Sequence, residues 1–261
     1  MASKKQRSPL ERARPLRVPG QSVDEEIDDL VYDHLLTPLL LAVVMAVMAG
    51  LEWWRYLYDQ KPNPLAYTVG AFLTMVFAAY KVWRNQAKLR QLKQGRDGER
   101  AVAQYLEWFR SSGCFVFHDV PNGDANIDHL IVGPKGVFTI ETKTLSKPVR
   151  GPCKLAVTGG AVWANGSQLE RNPVTQAKAQ SGWLRGFLKE ARFDVHIWPV
   201  VLFPGWFVEP FDVKATGAWV LEPKALSKYM ENEPDRLTRD EVKAIGSAMT
   251  SYIRAELSKK V

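Results

Sequence analysis

Asp128, Glu141 and Lys143 are the residues of this chain whose types and spacing fit a chemical step. They lie in two apolar, β-rich runs flanking Gly133, Pro134, Lys135 and Gly136, an order that reads as a hairpin turn. Pairing Gly133 with Gly136 and counting back along both strands sets Asp128 opposite Glu141, with Cβ atoms about 5 Å apart. Lys143 is two residues past Glu141 and shares its face. Two facing carboxylates in a half-buried sheet repel unless a proton or a cation lies between them. A hard divalent cation suits the position, because Mg²⁺ takes oxygen ligands and keeps several of its waters. An ammonium beside it orients or activates one of those waters, and the set then fits metal-dependent hydrolysis of a phosphodiester. The expected ligands are Asp128 and Glu141, with the Thr142 backbone carbonyl as a third. Lys143 is expected to orient or deprotonate the attacking water and to stabilise charge on the phosphate. Mg²⁺ is the expected cofactor, with Mn²⁺ as a substitute. The bland alternative is a surface ion pair at a hairpin end.

The strands that carry these residues must be central ones. In this register Asp128, Leu130, Val132, Val137, Thr139, Glu141 and Lys143 share one face. Ile127, His129, Ile131, Phe138, Ile140 and Thr142 share the other, and both faces are mostly apolar. His129 points away from the acidic pair and reads as a core histidine. Beyond the hairpin, residues 154–158 and 161–164 read as short strands around Gly159 and Gly160. Asn172 and Pro173 open a helix reaching about Ala191. Residues 196–202 form a buried strand, 218–221 another, and 223–230 and 239–259 closing helices.

The ordered set of motifs resembles the PD-(D/E)XK nuclease core and, within it, the nuclease-related domain (NERD) family. Gly95-Arg-Asp-Gly-Glu99 resembles the Gly-x-x-Gly-Glu opening of that family, and the Asp128, Glu141 and Lys143 hairpin its core. Trp163, Asn172-Pro-Val-Thr-Gln176 and the run 198–204 resemble later positions. Asn126 stands where Gln is common in the family, and Thr144 where Asn is. The resemblance covers about residues 95–206. It implies an α/β fold with a restriction-endonuclease-like mixed sheet flanked by helices. It also implies that Glu99 turns toward the metal as ligand or water holder, and that Gln176 contacts the site or the DNA strand. Lys147, Arg150 and Lys154 follow the hairpin and are candidate contacts to DNA phosphates, a role that carries no sequence information.

The formal charge of +7 suits an anionic partner, whether nucleic acid or lipid. It divides almost evenly, +4 before Gly95 and +3 from there on. Two cysteines, Cys114 and Cys153, exclude a zinc cluster or a disulfide framework and fit a reducing compartment. Residues 35–51 and 65–80 carry no charge and are flanked by Trp53, Trp54, Tyr56, Tyr58, Lys81, Trp83 and Arg84. Aromatic and basic ends extend runs of this length to the roughly 20 residues that span a bilayer. The pair reads as a transmembrane hairpin, with buried core helices as the alternative. Lys4, Lys5, Arg7, Arg12, Arg14 and Arg17 precede it, and Lys81, Arg84, Lys88, Arg90, Lys93 and Arg96 follow it. Only Arg55 and Lys61 lie between, so the positive-inside rule puts both termini in the cytoplasm.

The expected domains are a basic tail and short acidic helix (1–34), two transmembrane helices (35–83) and a helical stalk (84–94). Gly95 and Gly98 are expected to loosen the chain before a nuclease-like domain (95–206), on which strands and helices of 207–261 pack. The expectation is a membrane-anchored, Mg²⁺-dependent DNA nuclease of a bacterial inner membrane, its catalytic domain cytoplasmic. RNA remains open as a substrate, and a homo-oligomer or an unidentified protein partner is compatible with the anchors. The alternatives are a non-catalytic tether for DNA or a protein complex, and a soluble enzyme with a helical hairpin in its core.

Overall fold

The computed structural model describes residues 16–58, 64–123, 125–148 and 150–259. Residues 1–15 of the basic tail and 59–63 of the polar link lie outside the described residues, and with them Lys4, Lys5, Arg7, Arg12, Arg14 and Lys61. The chain divides into two compact units. One is Ser22–Gln94; the other runs from Gly95 onward and includes the described residues before Ser22.

The first unit is helical. Helix α1 (Gln21–Asp29) passes through a π-helical stretch, Leu30–Leu36, into α2 (Thr37–Leu57), and α3 begins at Pro64. Among the described residues two helices are long and apolar enough to cross a membrane, Gln21–Leu57 and Pro64–Ser111. Their apolar side chains point outward: Leu40 is 54% exposed, Val44 53% and Phe72 65%. A soluble protein rarely leaves so long an apolar surface uncovered. The buried positions are small, Ala42, Ala49, Ala71 and Ala78, which lets helix backbones approach closely. Trp53 Nε1 donates to Thr68 Oγ1 at 2.9 Å and ties α2 to the start of α3.

Helix α3 (Pro64–Ser111) continues through Gly95 and Gly98 without a break, where the sequence predicts a loosening. A glycine inside a helix costs only about 1 kcal/mol relative to alanine. The arginine, glutamate, alanine and leucine neighbours are strong helix formers and outweigh it.

The second unit is built on a five-stranded sheet in the order β1-β2-β3-β7-β9. Strands β1 (Phe115–Asn122), β2 (Ala125–Gly133) and β3 (Gly136–Thr142) form an antiparallel meander, and β7 (Ile197–Leu202) and β9 (Trp219–Leu221) add parallel to β3. The turn has the predicted register, with Gly133 opposite Gly136 and His129 opposite Ile140. Gly136 adopts φ 125°, a conformation strained for any residue with a side chain. Every residue of β3 is buried, as a central strand covered on both sides requires.

One core holds Leu106, Phe109, Ile131, Phe138, Ile140 and Trp219, under the carboxyl-terminal part of α3 and α6 (Leu226–Glu231). The other holds Leu130, Val132, Val137, Leu184 and Ile245, under α4 (Pro173–Glu190) and α7 (Arg239–Lys259). Ile127 packs in this second core with Leu130, not on the face of Ile131 as simple alternation predicts. The cause is a fault in the β1–β2 ladder. Pairing runs to His118 opposite His129 and resumes at Val120 opposite Ile127. Between them Asp119 has φ 50°, a left-handed conformation that aspartate tolerates better than most residues. Asp119 accepts from buried Arg17 at 2.7 Å. The only described arginine of the expected basic tail is therefore bound into this unit.

A smaller four-stranded sheet has the order β6-β5-β4-β8, formed by β4 (Lys154–Thr158), β5 (Ala161–Ala164), β6 (Ser167–Gln168) and β8 (Phe207–Val208). Helix α5 (Val213–Thr216) precedes β9. The class is mixed α/β, as expected.

Candidate active site

The site forms where β2 and β3 part. The last rung of their ladder is His129 opposite Ile140, and Asp128 and Glu141 are the next residue on each strand. Asp128 Oδ2 accepts the Thr142 backbone N–H at 2.6 Å. Glu141 is 2% exposed, on a strand clamped between β2 and β7. Lys143 Nζ lies 2.7 Å from Glu141 Oε1. Gln180 Nε2 donates to Glu141 Oε2 at 2.6 Å and lies 3.4 Å from the Asn126 carbonyl.

Glu99 joins this group from α3. Its charge is felt at Asp128, and its Oε2 lies 3.5 Å from where a Cβ on Gly20 would stand. Gly98 explains the approach. A Cβ there would sit 1.7 Å from Thr144 Oγ1, so only glycine lets α3 press on the segment that follows β3. Burial, then the charges of Glu141 and Glu99, push the Asp128 carboxyl well above its ordinary range, against the pull of the Thr142 N–H and Lys143. The cluster therefore favours a proton or a cation among its carboxylates.

The donor set fits a hydrated magnesium ion better than a bare cage. Among the described residues no three His, Cys, Asp or Glu side chains close on one point as a ready metal cage. Magnesium uses one or two carboxylates and retains water, so two acids with a backbone carbonyl are enough. Two buried side-chain oxygens near the acids, Gln180 Oε1 and Thr142 Oγ1, have no partner among the described residues and could take hydrogen bonds from such waters.

The structure thus brings Asp128, Glu141, Lys143 and Glu99 together, with the Thr142 backbone beside them. Gln176 stands apart: it is exposed and makes no side-chain hydrogen bond among the described residues. Gln180, one turn further along α4, is the glutamine that reaches Glu141. It does so because α4 begins one residue after Asn172, whose side chain accepts from Val174 N at 3.0 Å and fixes the helix start. The signal for Gln180 lay in the pattern. Positions 174, 177, 181, 184 and 188 form the buried stripe of α4, and Gln180 interrupts it with a long polar side chain. Lys147, Arg150 and Lys154 are exposed. Arg150 and Lys154 share a concavity of about 540 Å³ with Trp163, on the smaller sheet, and Lys154 is 3.7 Å from Glu209.

His129, on the far side of β2, is fully buried, and its Nδ1 lies 2.9 Å from His118 Nδ1. Burial holds both rings below the ordinary histidine range, so they pack as neutral core groups.

Residues 94–204, somewhat under half of the chain, match the family described as the nuclease-related domain, NERD. No curated protein and no solved structure matches the chain.

Proposed function

We propose that the nuclease-related domain of this chain is a metal-dependent hydrolase of DNA phosphodiester bonds with a PD-(D/E)XK site, held at a membrane by the apolar helices of residues 35–83. The observation that carries this reading is the convergence of Asp128, Glu141 and Lys143 at the end of one buried strand, with Lys143 Nζ 2.7 Å from Glu141 Oε1. A surface ion pair would not be buried, nor share its place with a second and a third carboxylate.

In this reading Asp128, Glu141 and the Thr142 carbonyl would hold the cation, with Glu99 as a further ligand or water holder. Bound there, Mg²⁺ would stabilise charge developing on the phosphate and on the leaving oxygen. Lys143 holds the attacking water in line and lowers the cost of its deprotonation. The Gln180 amide fixes one Glu141 oxygen and leaves the other to face the ammonium or the cation. Lys147, Arg150 and Lys154 are the proposed contacts to more distant phosphates. With Lys81, Arg84, Lys88, Arg90 and Lys93 after the second apolar run, the positive-inside rule favours a cytoplasmic domain, where DNA is at hand.

The test is cleavage of linear, circular and single-stranded DNA by the detergent-solubilised full chain in Mg²⁺, Mn²⁺ or EDTA. Metal-dependent cutting should fall by roughly 10²–10³-fold in Lys143→Ala, the scale set by losing one transition-state charge partner. Glu141→Ala should be inactive. Full activity in Lys143→Ala sinks that residue's role. A folded chain that binds Mg²⁺ and cuts nothing points to the tether instead.

A further inference from the structure

Beside α4 lies a groove of about 590 Å³ that the acidic cluster does not include. Lys178 and Arg185 of α4 and Lys214 of α5 line it, together with His196, Trp198 and Glu233. All three cations are exposed, and none has an acidic partner among the described residues. The groove's one acid, Glu233, faces Arg236 at 3.3 Å. Partial burial, then Arg236 and Arg185, hold the His196 imidazole below its ordinary range, so the local field already repels added positive charge.

The walls are aromatic as well as basic. Trp198 stacks on Trp219 at 4.9 Å between centroids, and the exposed His196 ring stands edge-on to Trp198 at 4.3 Å. The Trp198 indole N–H is buried and has no acceptor among the described residues. Unpaired cations spaced along a groove, with planar rings between them, are what a single nucleic-acid strand requires: phosphates meet the charges and bases meet the rings.

The groove is placed to serve the acidic cluster. Ile197 and Trp198 open β7, whereas Glu141 pairs with Val201, four residues on. At a strand rise of about 3.3 Å per residue, the two sites are roughly 13 Å apart along the sheet. Helix α4 touches both, with Gln180 on Glu141 and Lys178 and Arg185 at the groove.

We propose that this groove is a second nucleic-acid site, in which Lys178, Arg185 and Lys214 neutralise phosphates of a single strand and His196 offers its ring to a base. The proposal rests on the nuclease reading for its biological sense, and its test is independent of cleavage. The full chain carrying Glu141→Ala is held in detergent with EDTA, and binding of fluorescent dT20 is followed by anisotropy from 50 to 300 mM KCl. Adding Lys178→Ala, Arg185→Ala and Lys214→Ala should weaken binding at 100 mM KCl about a hundredfold. It should also flatten the slope of log K against log salt by about 2, since three lost single-strand contacts remove about 0.7 each. A comparison triple, Lys189→Ala, Lys224→Ala and Lys243→Ala, removes the same charge outside the groove. Equal affinity and slope in the groove triple and its parent overturn the proposal, as do equal losses in the two triples. Displacement of dT20 by poly-glutamate as readily as by unlabelled dT20 overturns it in favour of an acidic peptide. Groove-dependent binding by a chain whose unsubstituted form cuts no DNA in Mg²⁺ supports this site while removing the nuclease reading.

Discussion

At the scale of single residues, the acidic hairpin was legible because a β-turn fixes register and register fixes which side chains meet. Gly133 and Gly136 set the count, and the Asp128 and Glu141 rung followed from it. Gln180 was not legible in that way. Its role depends on where α4 crosses β3, which no local periodicity states. Its geometry makes a specific claim. Gln180 touches Glu141 and no metal, so it should act by positioning. Gln180→Leu removes the 2.6 Å hydrogen bond and leaves Glu141 free to rotate toward Lys143. The expected result is a fall in kcat of roughly 10-fold to 100-fold, the cost of small misplacements in a site that must hold near-attack geometry. Metal affinity should change less than threefold. Gln180→Glu should be worse than leucine, because it adds an acid to an already repulsive cluster. Steady-state kinetics across a Mg²⁺ titration separate the two effects; a large rise in the Mg²⁺ requirement with unchanged kcat would make Gln180 part of the metal site instead.

At the scale of elements, most strands and helices were readable from apolar patterning, and the failures had local causes. The ladder fault at Asp119 moved Ile127 to the other core, and it hinges on one backbone angle that the sequence does not announce. Gly95 and Gly98 look alike in sequence, yet both lie inside α3 and meet different surroundings. No described residue lies within 4 Å of a Cβ at position 95, whereas at 98 Thr144 Oγ1 would be 1.7 Å away. Opposite outcomes follow. Gly95→Ala should stabilise by up to about 1 kcal/mol through helix propensity. Gly98→Ala should destabilise by about 1–3 kcal/mol through overpacking, and should lower activity by pushing Glu99 away from Asp128. Thr144→Ala in the Gly98→Ala background should recover part of the loss, since the nearest atom then becomes the residue 144 Cβ at 2.8 Å. Thermal unfolding of the three variants reads the signs directly; stabilisation by Gly98→Ala would mean that α3 does not press on Thr144.

At the scale of the whole molecule, the two units differ in the surface they expose. The apolar runs 35–51 and 65–80 were legible by length alone, and the exposure of their side chains is what the proposed membrane anchor requires. Alkaline carbonate should leave the chain in the membrane pellet and detergent should release it; release by carbonate alone would make these helices a soluble surface. In the other unit, function works against stability. The folded Asp128 carboxyl is raised above its unfolded value of about 3.9, so folding is favoured when it is protonated. That contribution is fully present below about pH 3.9 and is lost as pH rises through the folded pKa. As pH rises through that range the cluster takes on its repulsion, and a divalent cation should offset it. Mg²⁺ at ten times its Kd adds about 1.4 kcal/mol by mass action, or roughly 3–6 °C in Tm for a domain of this size. At pH 4.5 protons compete for the same oxygens and the shift should shrink. Asp128→Asn keeps an oxygen for the Thr142 N–H but removes the charge. It should raise Tm in EDTA at pH 7.5, raise it less at pH 4.5, and lose most of the Mg²⁺ shift. The four measurements form one cycle of pH and metal. An Asp128→Asn chain that is destabilised in EDTA, or that keeps the full Mg²⁺ shift, would place the cation elsewhere and leave the acidic cluster as a structural feature.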